Sequence, residues 1–391
     1  MTDRQVLLIT YSTKPRGGVV HTLALAEALH AMGTPIRVLA LGDPAAGFFR
    51  SVAAPVTIVP GPSGEGTLEE RVWGSIDRLA AAITSTDASL LHAQDCIAAR
   101  AAARVRDAGA AVTVVRTVHH VDDFSSQVLM DCQRAAIIEP DIVLVVSEAW
   151  RRILHEDYGV RADVVPNGVD CARFTTPDRT RAAQLRNQVG AADRPLILAI
   201  GGIEPRKGSD TLVRALAEMK AQRAIAPVLA VVGGHSFQDH RAYLERVLDL
   251  VPELGLDLDD DVVLVGTVPD TDIPPWYAAA DVLAFPSVKE GFGLAVLEAM
   301  SARIPVVTSD LPVFREYLVP GRDALMIEPG DVGGLAAALL STIEDATVRQ
   351  ALVNAGSAVA SRFTWQESAR RHNLVYAEVA HGRRVHDRRR L

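Results

Sequence analysis

The sequence predicts an α/β protein built from two doubly wound domains, each a parallel sheet with helices on both faces. Three observations predict it. The chain has 391 residues, and a single domain usually takes about 100–200. Short apolar runs rich in β-branched residues alternate with longer helical patterns almost throughout, which is how parallel sheets read. The alternation breaks once, near Val164 to Pro177, where Asn167-Gly168 is a turn signal bracketed by Pro166 and Pro177, and then restarts.

Before the break, Val6–Thr10 reads as the first strand, followed by a helix from about Val19 to Met32 and a strand at Ile36–Ala40. Leu90–His92 and Val112–Thr117 are further strands with helical sequence nearby. Ile142–Val146 leads to Ser147, a plausible N-cap, and a helix to about Tyr158. After the break, strands are expected at Leu196–Ile200, Val228–Val232, Val262–Val265, Asp281–Phe285 and Ile304–Thr308. Helices are expected at Asp210–Gln222, His240–Leu250, Pro274–Ala280 and from Gly291 to about Ala302. The expected domains are 1–170, joined by 366–391, and 171–365. Ligands in such sheets sit beyond the carboxyl ends of the strands, so two of them facing a cleft could hold a donor and an acceptor, with a hinge near Asn167.

Composition narrows the function. Hydrophobic residues are 49%, charged residues 23% and the net charge is −8, a profile that fits a globular enzyme and argues against a nucleic-acid binder. Cys96, Cys132 and Cys171 have no CxxC spacing; a reduced cytoplasmic compartment without a disulfide frame fits them. No apolar stretch approaches the roughly 20 residues of a membrane span. The Gly382–Leu391 segment is strongly basic and reads as a solvated tail or as a weak contact with an anionic membrane surface.

The stretch with most chemical content is FPSVKEGFGLAVLEAMSARIPVV, Phe285 to Val307. Gly291, Phe292 and Gly293 precede a helix whose free N–H groups and dipole favour a phosphate. Glu290 and Glu298 flank that helix mouth. Carboxylates repel phosphate and only accept hydrogen bonds, so their expected targets are hydroxyls. Phosphates in the middle with hydroxyls at both ends describe a sugar nucleotide. The competing reading is two ordinary acids near a helix start.

Other motifs each allow a functional and a plain structural reading. Gly17-Gly18, between the first strand and helix, is an anion site or a plain tight turn, and is not GxGxxG. Gly201 to Ser209 places Arg206 and Lys207 after a strand end, suiting a diphosphate, and is not a P-loop. His119, His120, Asp122 and Asp123 follow a strand; neighbours on extended backbone point apart, which disfavours a metal and leaves one histidine for a sugar hydroxyl or a structural role. Asp259-Asp260-Asp261 reads as a solvated turn at the wrong strand end for a ligand. Arg315 and Glu316 read as residues near the cleft or as a surface ion pair. Glu65, Glu69 and Glu70 fall in a variable region of the first domain. Arg100, Arg104 and Arg106 do not form a basic amphipathic helix.

Taken in order, the Gly-Gly loop, His119, Pro166-Asn167-Gly168-Val169-Asp170, Arg206-Lys207-Gly208, Glu290-x7-Glu298 and Phe363-Thr364-Trp365 resemble the retaining GT-B glycosyltransferases of family 4, over almost the whole chain. GGVVHTLALAEAL, HHVDDF and GGIEPRKGSDTLVRAL are similar to an uncharacterised bacterial subgroup. The resemblance implies a GT-B fold whose C-terminal helix crosses back to the first domain. It implies hexose transfer from a nucleotide diphosphate sugar, UDP favoured, to an acceptor hydroxyl of a small molecule, glycan or lipid, without metal or other cofactor. Glu298 would hold the ribose and Glu290 a sugar hydroxyl. Backbone N–H groups of Phe292, Gly293 and Leu294 would lie near sugar or phosphate. Arg206 and Lys207 would neutralise the diphosphate, His119 would contact the sugar, and Gly18 would approach the diphosphate. Many relatives carry an arginine where this chain has Gly202. An epimerase or hydrolase on the same fold, and a non-catalytic sugar-nucleotide binder, are the competing functions.

Overall fold

The computed structural model describes residues 5–62, 64–222, 226–234 and 240–380. The basic segment 382–391 lies outside the described residues. The chain divides into two compact units, 1–168 with 365–391, and 169–364.

The first unit carries strands β1 (Val6–Thr10), β2 (Ile36–Gly42), β3 (Val56–Pro60), β4 (Leu90–Ala93), β5 (Thr113–Val118), β6 (Ile142–Val145) and β7 (Ala162–Val164). They form one sheet in the order β3-β2-β1-β4-β5-β6-β7, every pair parallel. β1, β4 and β6 are buried along their whole length, which is why they are continuous apolar runs rather than alternating ones. The helix Trp365–Ala380 belongs to this unit and packs on the helix Gly17–Ala31. Its Tyr376 hydroxyl meets His92 Nδ1 at 2.7 Å, and its Asn373 meets Thr34. The C-terminal helix therefore returns to the first unit.

The second unit carries β8 (Leu196–Ile200), β9 (Val228–Val232), β10 (Val262–Gly266), β11 (Val282–Phe285), β12 (Val306–Ser309) and β13 (Leu325–Ile327), in the order β10-β9-β8-β11-β12-β13, again all parallel. Strand order reverses between β1 and β4 in one unit and between β8 and β11 in the other. At such points the loops beyond the strand ends diverge and leave room for a ligand.

Several elements were not expected from the sequence. β3, β7 and β13 are edge strands. β7 and β13 are only three residues long, and none of the three is fully buried, so none makes a continuous apolar run. The helix Leu68–Thr84 also escaped notice. It starts with a capping box between Thr67 and Glu70, so Glu70 closes a helix end rather than lying in an open loop, and Glu69 is in its first turn. Ser147 caps the helix Glu148–Tyr158 by accepting from the N–H of Trp150. Among the described residues no helix is long and apolar enough to cross a membrane.

Candidate active site

In the second unit the loops after β8 and β11 are tied together. The chain leaves β8, makes one 3₁₀ turn at Pro205–Lys207 and enters the helix Ser209–Ala221 through Gly208. Gly208 has φ +66°, and a Cβ there would stand 2.2 Å from the Pro286 carbonyl oxygen. Only glycine lets the two loops approach so closely. The N–H of Val288 donates to the Arg206 carbonyl at 2.9 Å and closes the join.

This join places Glu290 against both cations. One carboxylate oxygen, Oε1, accepts from Lys207 Nζ at 2.6 Å, from Ser287 Oγ at 3.0 Å and from Arg206 Nη1 at 3.1 Å. Arg206 Nε lies 3.2 Å from a second carboxylate, that of Glu204. The Lys207 ammonium also sits over the Phe285 ring, 4.4 Å from its centroid. Burial alone would raise the Glu290 carboxyl, but Lys207 and Arg206 override it and hold it at about 2. The sequence had paired the cations with phosphate and the acid with hydroxyls as separate groups. The structure joins them in one ion-paired network.

The following helix runs Leu294–Ser301, with Gly293 at its N-cap in a left-handed conformation. It begins later than expected, because Gly293 is held at φ +87° where a Cβ would collide with the Phe314 ring. Phe292 turns its side chain into the core, stacked on Tyr317 with centroids 5.4 Å apart, so only its backbone is available to a ligand. Glu298 is the fifth helical residue, one turn in from the mouth that it was expected to flank. Its Oε2 accepts from the Tyr277 hydroxyl at 2.7 Å, and burial raises its carboxyl. The family arginine absent at Gly202 has a steric reason: a Cβ there would stand 2.3 Å from the Gly234 carbonyl oxygen. Glu204, Ser287 and Tyr277 were not singled out in the sequence. Their signal was only proximity to a motif, and pairing across strands is not visible in one dimension.

At the corresponding end of the first unit one set of contacts joins neutral groups, beside Asp95, which accepts from the N–H of Tyr11 at 2.8 Å. Gly18 lies in the first turn of the helix Gly17–Ala31. A Cβ at Gly18 would touch His119 at 3.7 Å, an ordinary contact, so internal packing does not demand glycine there. His119 Nε2 lies 3.1 Å from Gln94 Oε1, and its ring meets that of His21 edge-on with centroids 4.6 Å apart. His21 in turn hydrogen-bonds Asn167 at 2.9 Å and lies near Trp365 and His372. Asn167, expected as an open turn, is therefore a buried anchor. Burial drives His21, His92 and His119 well below the usual histidine range, and His372 down to about 4, so all four are neutral near pH 7. His120 pairs with Asp122 instead, which separates the two adjacent histidines.

The Asp259–Asp261 turn is not simply solvated, as the sequence suggests. Asp261 is buried and bonds Arg194 at 2.7 Å and Lys220 at 2.6 Å. Asp257, Asp260 and Asp261 come close enough together to hold an ion, but Arg194 and Lys220 already supply their positive charge. Arg315 forms an exposed ion pair with Asp310. Cys96, Cys132 and Cys171 are free thiols.

Two family descriptions match the chain: "Glycosyltransferase Family 4" over residues 15–173 and "Glycosyl transferases group 1" over 194–345. The chain is 31% identical over 255 residues to a GDP-mannose-dependent alpha-(1-6)-phosphatidylinositol monomannoside mannosyltransferase of Mycolicibacterium smegmatis, covering 63% of this chain and 63% of that protein. It is 32% identical over 266 residues to a D-inositol 3-phosphate glycosyltransferase of Stackebrandtia nassauensis, covering 66% of this chain and 58% of that protein. The matched stretch thus spans about three fifths of those relatives. Among solved structures, sucrose-phosphate synthase of Thermosynechococcus elongatus superposes with a TM-score of 0.81 at 22% identity, covering 97% of this chain and all of that one. Anabaena HepE, in complex with UDP and glucose, gives 0.81 at 22% identity over 96% of this chain and 100% of that one. At that identity the likeness is one of fold: two parallel α/β units, the GT-B architecture.

Proposed function

We propose, for a chain that belongs to glycosyltransferase family 4 on these matches, that it transfers a hexose from a nucleotide diphosphate sugar to an acceptor hydroxyl. The carrying observation is the Arg206–Lys207–Glu290 network at the switch point of the second sheet. Two cations there meet the charge that grows on a departing nucleoside diphosphate, and they act from a partly desolvated site where such charge stabilisation is strongest. The N-terminus of the helix Leu294–Ser301 adds backbone N–H groups of Gly293 and Leu294. Glu298, fixed by Tyr277, is the acceptor for ribose hydroxyls, and Glu290 for a sugar hydroxyl. In the first unit, Gly18 and His119 keep the roles that the resemblance implies: backbone approach to the diphosphate and a hydrogen bond to the transferred sugar.

The transfer is read as metal-independent and retaining, with the leaving phosphate helping to deprotonate the acceptor hydroxyl on the same face. Arg206 and Lys207 supply the charge that a metal would otherwise bring to the diphosphate. UDP-sugars are the first donors to test. GDP-mannose is the second, favoured by the name of the Mycolicibacterium relative. Both relatives are named for inositol-containing molecules, which makes an inositol-bearing acceptor the first choice. Incubation with a panel of sugar nucleotides, with and without inositol phosphate acceptors, tests the reading. Nucleotide release that depends on acceptor is expected. Release of free sugar without acceptor would indicate a hydrolase, and binding without turnover a non-catalytic binder. Glu298→Ala is expected to lose nucleotide-sugar affinity in calorimetry, and an unchanged affinity would remove Glu298 from the ribose site.

A further inference from the structure

Gln94 and His119 each follow the carboxyl end of a strand, β4 and β5, and the register that sets Ala93 beside Arg116 brings those ends side by side. The backbone N–H of Gln94 donates to the Ile9 carbonyl of β1 at 2.9 Å, which ties the residue to a third strand. Its side chain is buried, and the amide oxygen lies 3.1 Å from His119 Nε2. The amide nitrogen has no partner among the described residues. The one hydrogen bond of this side chain is therefore spent on His119.

An amide oxygen only accepts, so the Nε2 that faces it carries the proton. Burial keeps the ring neutral near pH 7, and a neutral imidazole has a single N–H. Nδ1 is left with a lone pair. The Nε2–Cδ2 edge of the ring is turned towards Gly18, where a Cβ would stand 3.7 Å from Cδ2 and 3.9 Å from Nε2. Nδ1 is the ring atom opposite that edge, and no hydrogen bond among the described residues reaches it.

We propose that Gln94 is a positioning residue that fixes the tautomer of His119, so that His119 meets the transferred sugar through Nδ1, as an acceptor of a hydroxyl proton. An amide does this without charge. A carboxylate at the same place would favour the doubly protonated ring, which has no lone pair to offer. This inference rests on the donor-site reading given above, in which His119 contacts the sugar.

Nitrogen–proton correlation NMR on protein carrying ¹⁵N-labelled histidine reads the tautomer, with the His119 ring assigned through its backbone resonances. The unsubstituted protein is expected to show His119 protonated at Nε2 and bare at Nδ1. A proton on Nδ1 overturns the proposal, whatever the ligands do and whether or not any variant folds. In Gln94→Leu the single tautomer is expected to give way to a mixture. Calorimetry on that variant is expected to show UDP-glucose or GDP-mannose binding about five- to tenfold weaker, with UDP and GDP binding unchanged. A single Nε2–H tautomer kept in Gln94→Leu, an unchanged affinity for the sugar nucleotide, or an equal loss for the bare diphosphate overturns the positioning role alone. Failure of the unsubstituted protein to bind any of these sugar nucleotides overturns the donor-site reading and this inference with it.

Discussion

The two units present the same topological feature, a reversal of strand order with loops beyond the strand ends, and furnish it in opposite ways. In the second unit the loops carry permanent charge: Arg206, Lys207, Glu204 and Glu290 within ion-pair distance. In the first, His21, Gln94, His119 and Asn167 at that end form a set joined by hydrogen bonds and ring contacts and neutral near pH 7. Charge does occur nearby in the first unit, with Arg116 buried and Asp95 accepting from the N–H of Tyr11, but not within that set. A charged set suits a polyanion. A neutral set suits hydroxyls, which both donate and accept. The difference also predicts different failures. Ion-paired networks fail when one partner is removed, because the other is left buried and uncompensated. Neutral histidine clusters fail when they are forced to take up protons.

The largest effect is expected from Lys207→Met, which removes the shortest of the contacts to Glu290. Arg206 and Ser287 still serve Glu290, so a loss of about 1.5–3 kcal/mol of stability is expected, read from urea unfolding. A loss below about 1 kcal/mol would show that the network behaves as an exposed one. Acid is expected to act on the first unit next. His372 titrates near 4 when folded against an ordinary value of 6.5, so the unfolded chain binds the extra proton and stability falls as pH drops through that window. His21, His92 and His119 act in the same direction. Glu290, depressed rather than stripped of a proton site, keeps its contribution above pH 4.5 and loses it only as pH falls towards 2. Hydrogen exchange followed peptide by peptide after incubation at pH 5 should therefore show residues 5–168 and 365–380 opening before 169–364. Simultaneous opening would erase the contrast. The smallest effect is expected from Gln94→Leu, which removes one hydrogen bond to His119 and should cost about 1 kcal/mol, measured in the same unfolding assay.

What was legible in the sequence follows burial. Central strands β8 and β9 were placed to the residue, because strands covered on both faces are unbroken apolar runs. The edge strands β3, β7 and β13 were not, because they are short or partly exposed; β10, also an edge and only partly buried, was found because VVLV is still an apolar run. In the candidate site, Arg206, Lys207, Glu290 and Glu298 stood out by residue type and position after strands. Their mutual arrangement did not, since Lys207 and Glu290 lie 83 positions apart and meet only because β8 and β11 are neighbours. Glu204 did not stand out at all, and Asn167 looked like a turn signal, until tertiary contacts gave each a partner. Asp261 shows the reverse: three consecutive acids suggested a solvated turn, while Arg194 and Lys220 hold one of them in the interior.

The central claim is that the cations of the β8 loop hold a diphosphate. Calorimetric titration of UDP or GDP against the matching nucleoside, in the unsubstituted protein and in folded Lys207→Met, tests it most directly. We expect diphosphate binding well above nucleoside binding in the first, and a clearly smaller preference in the second, where Arg206 remains. A preference for diphosphate that survives the loss of Lys207 unchanged would contradict the account.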